Sequence, residues 1–292
     1  MIDDIRGSGA SVPTRIGSLL VVAGKLSPTD AERVGEAQLH RGLPFGETAV
    51  ALGLINQDDL DAVLAGQFGL THMSDTQLAR FDPELVSLHQ PMGPRADALR
   101  RLRNEVLAAW GPGRLEAQAH GLAVISAEAD AGSSWLAANL AVVFAQAQIR
   151  TGLVDFNFRQ PGLHRKFDLP LHPGLSNQLA SGSAGTTPWH EVGGVPHLSV
   201  LCAGAQPPAP EQLLSSHNLA SLAQHWRHRF DLLLLDLPPA GQHADALNVI
   251  RLFGAQALVV ARRDHSPKKA LGRLYAELNR ARVNVVATLM ME

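Results

Sequence analysis

Cysteine, tyrosine and lysine are nearly missing from this chain: its 292 residues include one cysteine, one tyrosine and four lysines. A lone thiol, Cys202, cannot close an internal disulfide, which suits a reducing compartment. Its place at the end of an apolar run predicts a buried structural side chain rather than a reactive one. No apolar run approaches the roughly 18 residues that a membrane-crossing helix needs, and the opening MIDDIRGSGASVPTR has no apolar signal region. The expectation is a cytoplasmic protein with no direct membrane span. Basic residues are scattered, the net charge is -2, and no patch has the density of a nucleic-acid footprint. What is present is ordinary globular composition, 46% hydrophobic and 18% charged, enough for one sizeable core and a smaller one.

The first seventy residues repeat. At an offset of 29, RIGSLLVVAGKLSPTDAERVGEAQ (15–38) aligns with PFGETAVALGLINQDDLDAVLAGQ (44–67), placing Gly17 with Gly46, Gly24 with Gly53, Asp30 with Asp59 and Gln38 with Gln67. Each unit has the pattern of a short helix, a glycine stop, a polar N-cap and a second helix. SPTD at 27–30 predicts a capped helix start with proline at its first position. A helical domain over 1–71 follows, then 72–95, whose prolines and lack of sustained periodicity predict an ordered or partly ordered linker with a possible turn at 83–88. The second domain, 96–292, opens on a helix from Asp97 to Trp110. Asp97, Arg100 and Arg103 stand three apart on one face of it, as an exposed ion-pair face.

The stretch 121–161, GLAVISAEADAGSSWLAANLAVVFAQAQIRTGLVDFNFRQP, organises the rest. An apolar run at Leu122–Ile125 breaks into small and acidic residues, a helical pattern runs from Ser133 to about Gln148, and a second apolar run ends in Asp155. That is the opening βαβ unit of a P-loop nucleotide-binding domain. A working loop reads GxxxxGK[ST], because backbone N–H groups wrap phosphate, lysine neutralises it and the hydroxyl holds magnesium. Residues 127–134, AEADAGSS, keep only Gly132 and Ser134; Ser133 stands where the lysine belongs and Asp130 adds an anion. One unit-charge contact at about 4 Å is worth roughly 4 kcal/mol at an effective dielectric near 20, so the change erodes triphosphate affinity steeply.

Further apolar runs at 197–201, 231–235, 257–261 and 283–290 alternate with helical patterns at 211–227, 244–253 and 267–282. They predict a doubly wound, mostly parallel α/β sheet of the P-loop NTPase kind. Asp155 and Asp236 each close an apolar run and so fall at the carboxyl edge of the sheet, where such folds bind ligands; they are the candidate magnesium and water-positioning acids. His225 and His228, three apart on a helix, are read as surface residues rather than metal ligands. SGSAGTTP at 181–188 is read as a surface loop.

Several separated blocks carry a resemblance. VDFNFRQP resembles the DxDxR element and LLLLDLPP the DxxP element of the bacterial tyrosine kinases of the CpsD/CapB type. SWLAANLAVVFAQ, GLHRKFDLPLHPGLSNQLASG, AGAQPPAPEQLLSS and HRFDLLLLDLPPAGQHADALNVI follow the same family in order. The 24-5-24 repeat resembles the N-terminal domain of type II secretion ATPases, and the combination is similar to the EpsG-type chain-length determinant tyrosine kinases of exopolysaccharide biosynthesis. The resemblance implies ATP or ADP with Mg2+ at Ala131, Gly132, Ser133, Ser134, Trp135 and Arg159, the metal at Ser134, Asp155 and Asp236, and self-assembly through Asp97, Arg100 and Arg103. It implies a membrane polysaccharide co-polymerase, a Wzz-like chain-length protein, as partner, and oligomers with itself or with homologues. Its N-terminal part implies cyclic di-GMP at Arg15, Gly17 and Gly46, although Pro44 replaces the second motif's arginine.

Three departures bear on activity. Asn157 replaces the family's catalytic second acid, and an amide cannot accept the proton of an attacking hydroxyl. Ser133 replaces the phosphate-binding cation. VVATLMME after the last strand carries no tyrosine cluster, and Tyr275 lies in a helical pattern. The expectation is a degenerate, weakly nucleotide-binding pseudo-kinase in exopolysaccharide chain-length control. The alternatives are an active autokinase with a relocated cation and a cyclic di-GMP-responsive regulator; of Lys166, Lys268 and Lys269 none stands at a family-supported position for such a cation, and Lys268 or Lys269, after a strand end, stay open.

Overall fold

A computed structural model of the chain describes residues 16–57, 59, 60, 63, 73–111, 120–182, 188–241 and 245–292. It divides into two compact units, Met1–Met73 and Ser74–Glu292. In the first, α1 (Ile16–Val22), α2 (Pro28–Arg41) and α3 (Phe45–Ala51) contribute to a core of Leu20, Leu26, Val34, Ala49, Ile55, Leu60 and Val63. The start of α2 follows its sequence signal: the Ser27 hydroxyl accepts the Asp30 N–H at 3.0 Å and Pro28 opens the first turn. Gly24 and Gly53, one per repeat, follow their helices at φ +68° and +67°, a conformation that glycine adopts without steric cost. Gly17 and Gly46 serve packing instead. A Cβ on Gly17 would stand 2.9 Å from the Phe45 ring, and one on Gly46 would collide with Leu60. Arg15 lies outside the described residues.

The second unit runs α4 (Asp75–Leu78), α5 (Val86–His89), α6 (Pro94–Trp110), β1 (His120–Ser126), α7 (Ser133–Gln146), β2 (Thr151–Asp155), α8 (Leu163–Lys166), α9 (Leu175–Ser181), β3 (His190–Glu191), β4 (Leu198–Leu201), α10 (Pro210–Leu214), α11 (His217–Arg229), β5 (Leu232–Asp236), α12 (Asp245–Phe253), β6 (Gln256–Arg262), α13 (Lys268–Arg280) and β7 (Val285–Met291). The strands form one sheet, β3-β4-β2-β5-β1-β6-β7, in which only the β3–β4 pair is antiparallel. β2, β4 and β5 are buried along their whole length, the reason that they read as unbroken apolar runs. α7 is equally enclosed, with every residue from Leu136 to Gln146 buried.

Two expectations need correction. The single helix foreseen over 211–227 is two, because Ser216 caps a new start by accepting the Leu219 N–H. The stretch foreseen as a linker belongs, from Ser74 onward, to the second unit. Phe81, Leu85, Val86 and Leu88 are buried. Asn139 of α7 donates to the Glu84 carbonyl at 3.0 Å and accepts the Ser87 N–H at 3.2 Å, so one buried amide ties this stretch to the helix behind the P-loop.

Candidate nucleotide site

The loop between β1 and α7 is held from outside by its own carbonyls. Ala240 N–H donates to Ser126 O (2.9 Å), Gly241 N–H to Ala127 O (3.0 Å) and Ser126 Oγ to Glu128 O (2.7 Å). His265 Nε2 meets Ala129 O at 2.9 Å, which places its proton on that nitrogen, and Arg262 donates to Asp130 O at 3.3 Å. Five successive acceptors are therefore engaged by groups that come from β1, from the turn after β5, from the end of β6 and from the turn that follows it. Gly241 is required at its place, since a Cβ there would strike the Ala127 carbonyl. Asp130 and Gly132 turn the chain at φ +56° and +94°, and α7 starts at Gly132 with no side-chain cap. Its first-turn N–H groups, around Ser133 and Ser134, are those that a helix start leaves for an anion.

Register places Asp155 directly across from Asp236 on the adjacent strands β2 and β5. Both are fully buried. Asp155 accepts N–H groups from Asn157 (3.0 Å), Gly162 (3.1 Å) and Leu163 (3.3 Å), which oppose the rise that burial causes; the balance leaves its pKa at about 6. Among the described residues, neither carboxylate oxygen of Asp236 has a well-formed hydrogen-bond partner. Burial first and Asp155 second push its pKa well above the usual range, and Ser134 and Lys166 pull it down. Ser134 thus lies close enough to act on Asp236 electrostatically without making a well-formed hydrogen bond.

This donor set fits a hard divalent cation. Two orphaned oxygens on Asp236, the hydroxyl of Ser134 and the Asp155 carboxylate are oxygen ligands converging at the end of the sheet. The helix start fits a diphosphate. Ser133, at the position of the loop's lysine, brings no charge to a terminal phosphate. Asp130 is exposed, so water screens its carboxylate, and its cost to a bound anion falls below the roughly 4 kcal/mol bound set by the unscreened contact.

The other candidates divide. Asn157 stays next to Asp155 but uses its Oδ1 to accept the Gln160 N–H at 3.2 Å, making it a turn former. Ala131 is buried and Trp135 half-buried at the start of α7. Arg159 is ion-paired with Glu211, away from any free anion role. Lys166, which only long-range folding brings near, lies 2.6 Å from Glu84 and 3.7 Å from Asp82, with its side chain 13% exposed. Cys202 borders the same carboxylates, and burial first, with Asp155 second, pushes its thiol up to about 12, so it is no nucleophile. Asp97 pairs with Arg100, while Arg103 donates to Val143 O at 3.0 Å, turning part of the DxxRxxR face inward onto α7. His225 and His228 are exposed on α11. The braces Arg262 and His265 were missed by sequence reasoning, because a side chain that grips a loop carbonyl leaves no spacing pattern.

No family model matches the sequence. The chain is 30% identical over 188 residues to CapB of Staphylococcus aureus, covering 63% of this chain and 80% of that one. It is 30% identical over 190 residues to the tyrosine-protein kinase ptk of Acinetobacter johnsonii, spanning 65% of this chain but about a quarter (25%) of that longer protein. Among solved structures, the chimerical protein CapA2B2 superposes with a TM-score of 0.66 at 25% identity, over 73% of this chain and 92% of that one. With the paired carboxylates, the P-loop architecture and this likeness over most of CapB together, the chain belongs to the bacterial tyrosine-kinase family of the CapB type.

Proposed function

We propose that this protein is a pseudo-kinase of that family, one that holds a magnesium nucleotide weakly and acts by binding rather than by phosphoryl transfer. The observation that carries the reading is the pairing of the adjacent buried carboxylates Asp155 and Asp236, near Ser134, with an uncharged Ser133 and an Asn157 committed to its own turn. Bound magnesium would neutralise phosphate and the Asp236 carboxylate together; the chain's own groups would position the β-phosphate at the α7 start. Its setting would be exopolysaccharide chain-length control at the cytoplasmic end of a membrane polysaccharide co-polymerase, an assignment that rests on the sequence resemblance. Isothermal titration should give ADP–Mg2+ affinity at least as tight as ATP–Mg2+ affinity, because the missing charge falls on the terminal phosphate, with no phosphotyrosine formed. Ser133→Lys should tighten ATP by at least about tenfold, and Ser133→Lys with Asn157→Asp should turn hydrolysis on. Rapid wild-type turnover that Asp236→Ala abolishes would reject the proposal.

A second reading has one observation in its favour. Lys166 is nearly enclosed and acts on Asp236 electrostatically, so it is the cation best placed to replace the missing one. An active autokinase would then lose ATP binding on Lys166→Ala, whereas a pseudo-kinase would lose only the tie to Glu84. Cyclic di-GMP binding has less support, because Gly17 and Gly46 are occupied in packing against Phe45 and Leu60.

A further inference from the structure

The two edges of the sheet are treated differently. β3 is two residues long and polar, His190–Glu191, an edge too short to template another strand. β7 is seven residues long, and no charged side chain occurs from Val283 to Met291. It pairs with β6 alone among the described strands. Met291 turns its carbonyl toward β6, where the Arg263 N–H meets it at 2.8 Å, and alternation then turns the N–H and C=O groups of Thr288 and Met290 to the open side. Met290 is 58% exposed, and Tyr275, whose hydroxyl bonds Thr288 Oγ1, is 37% exposed. Of three exposed large apolar side chains described in this unit, two sit at this edge.

We propose that the β7 edge is a dimerisation surface, on which a second copy of this chain adds its own β7 antiparallel. The charge pattern selects that occupant. Arg280 and Arg282 flank the strand at its start and Glu292 at its end, all exposed. Antiparallel pairing about Thr288 sets Met290 against the irregular step at Val285–Ala287 of the other copy, where β7 shifts register on β6, and brings Glu292 to the start of that strand, near Arg282, at both ends of the seam. A parallel addition would stack arginines on arginines. The pairing is isologous and closes after two copies, giving one continuous sheet through the dimer. The helix that carries Asp97, Arg100 and Arg103, α6, packs beside β7, so substitutions on each are needed to tell the strand edge from the helix face.

Light scattering of the full chain at about 100 µM should report a dimer, the range in which a small, specific interface is populated. Met290→Lys, at an exposed position, should weaken association at least about tenfold with unchanged circular dichroism. Arg282→Glu should weaken it and Arg282→Glu with Glu292→Lys should restore it. Thr288→Cys, placed on the two-fold axis within disulfide reach, should give a cross-linked dimer on mild oxidation while the buried Cys202 stays inert. A wild-type monomer at that concentration overturns the proposal. So does a dimer indifferent to Met290→Lys and lost on Arg100→Ala, or a Thr288→Cys protein that does not cross-link.

Discussion

Asp236 carries its carboxylate into full burial with no well-formed hydrogen bond among the described residues, beside an Asp155 whose pKa is raised to about 6. The sign of the pH dependence follows. Below the unfolded value of about 3.9, both states are protonated and neither residue discriminates. As pH rises through that value to about 6, the unfolded chain releases protons that the folded one still holds, so stability falls; Asp236, shifted the same way, extends the loss upward. Without divalent cations the melting temperature at pH 5 should exceed that at pH 7.5 by on the order of 5 °C. Asp236→Asn should flatten the slope, and Mg2+ should raise the neutral-pH value. Melts of both proteins in chelator measure it, and an unchanged slope in Asp236→Asn would show that the pair is not its source.

Elements are tied to the site by few groups, and Asn139 is the clearest. On α7 it satisfies Glu84 O, Trp135 O and Ser87 N–H at once while fully buried. Asn139→Ala should cost about 2–4 kcal/mol, since each buried backbone group left unpaired costs about 1–3 kcal/mol; urea unfolding checks it, and a loss below about 1 kcal/mol would mean that water replaces the amide. The same contact shows where sequence reading reached its limit. β2 and β5 were legible because strands covered on both faces are apolar throughout, and their closing aspartates mark the ligand edge. The stretch from Ser74 was not. α4 and α5 are single turns of four residues, too short for a 3.6-residue period to show, and their anchor lies more than fifty residues away in the chain. Lys166 was legible as a lysine, but its approach to Asp236 depends on the placement of α8.

At the scale of the molecule the cores differ in size. The sheet unit buries a large cluster from Ala123 to Leu278, including the Trp226, Phe230 and Phe253 group, all of it from residues after 120. The first unit's described core has seven buried residues. A fragment of residues 74–292 should therefore keep the melting temperature of the main transition within about 3 °C, whereas the first unit alone, near the size where a single core is marginal, should melt lower. Calorimetry of the full chain and of both fragments decides it, and a 74–292 fragment that fails to fold would assign the missing stability to the first unit.

The carbonyl bracing of the P-loop has a thermodynamic corollary. A guest entering a cavity whose walls are already fixed spends little on ordering them, so the deficit left by Ser133 is one of charge and not of shape. Affinity lost that way should return when a cation is restored at position 133 or when added salt screens the Asp130 carboxylate, and should respond only weakly to changes that merely stiffen the backbone.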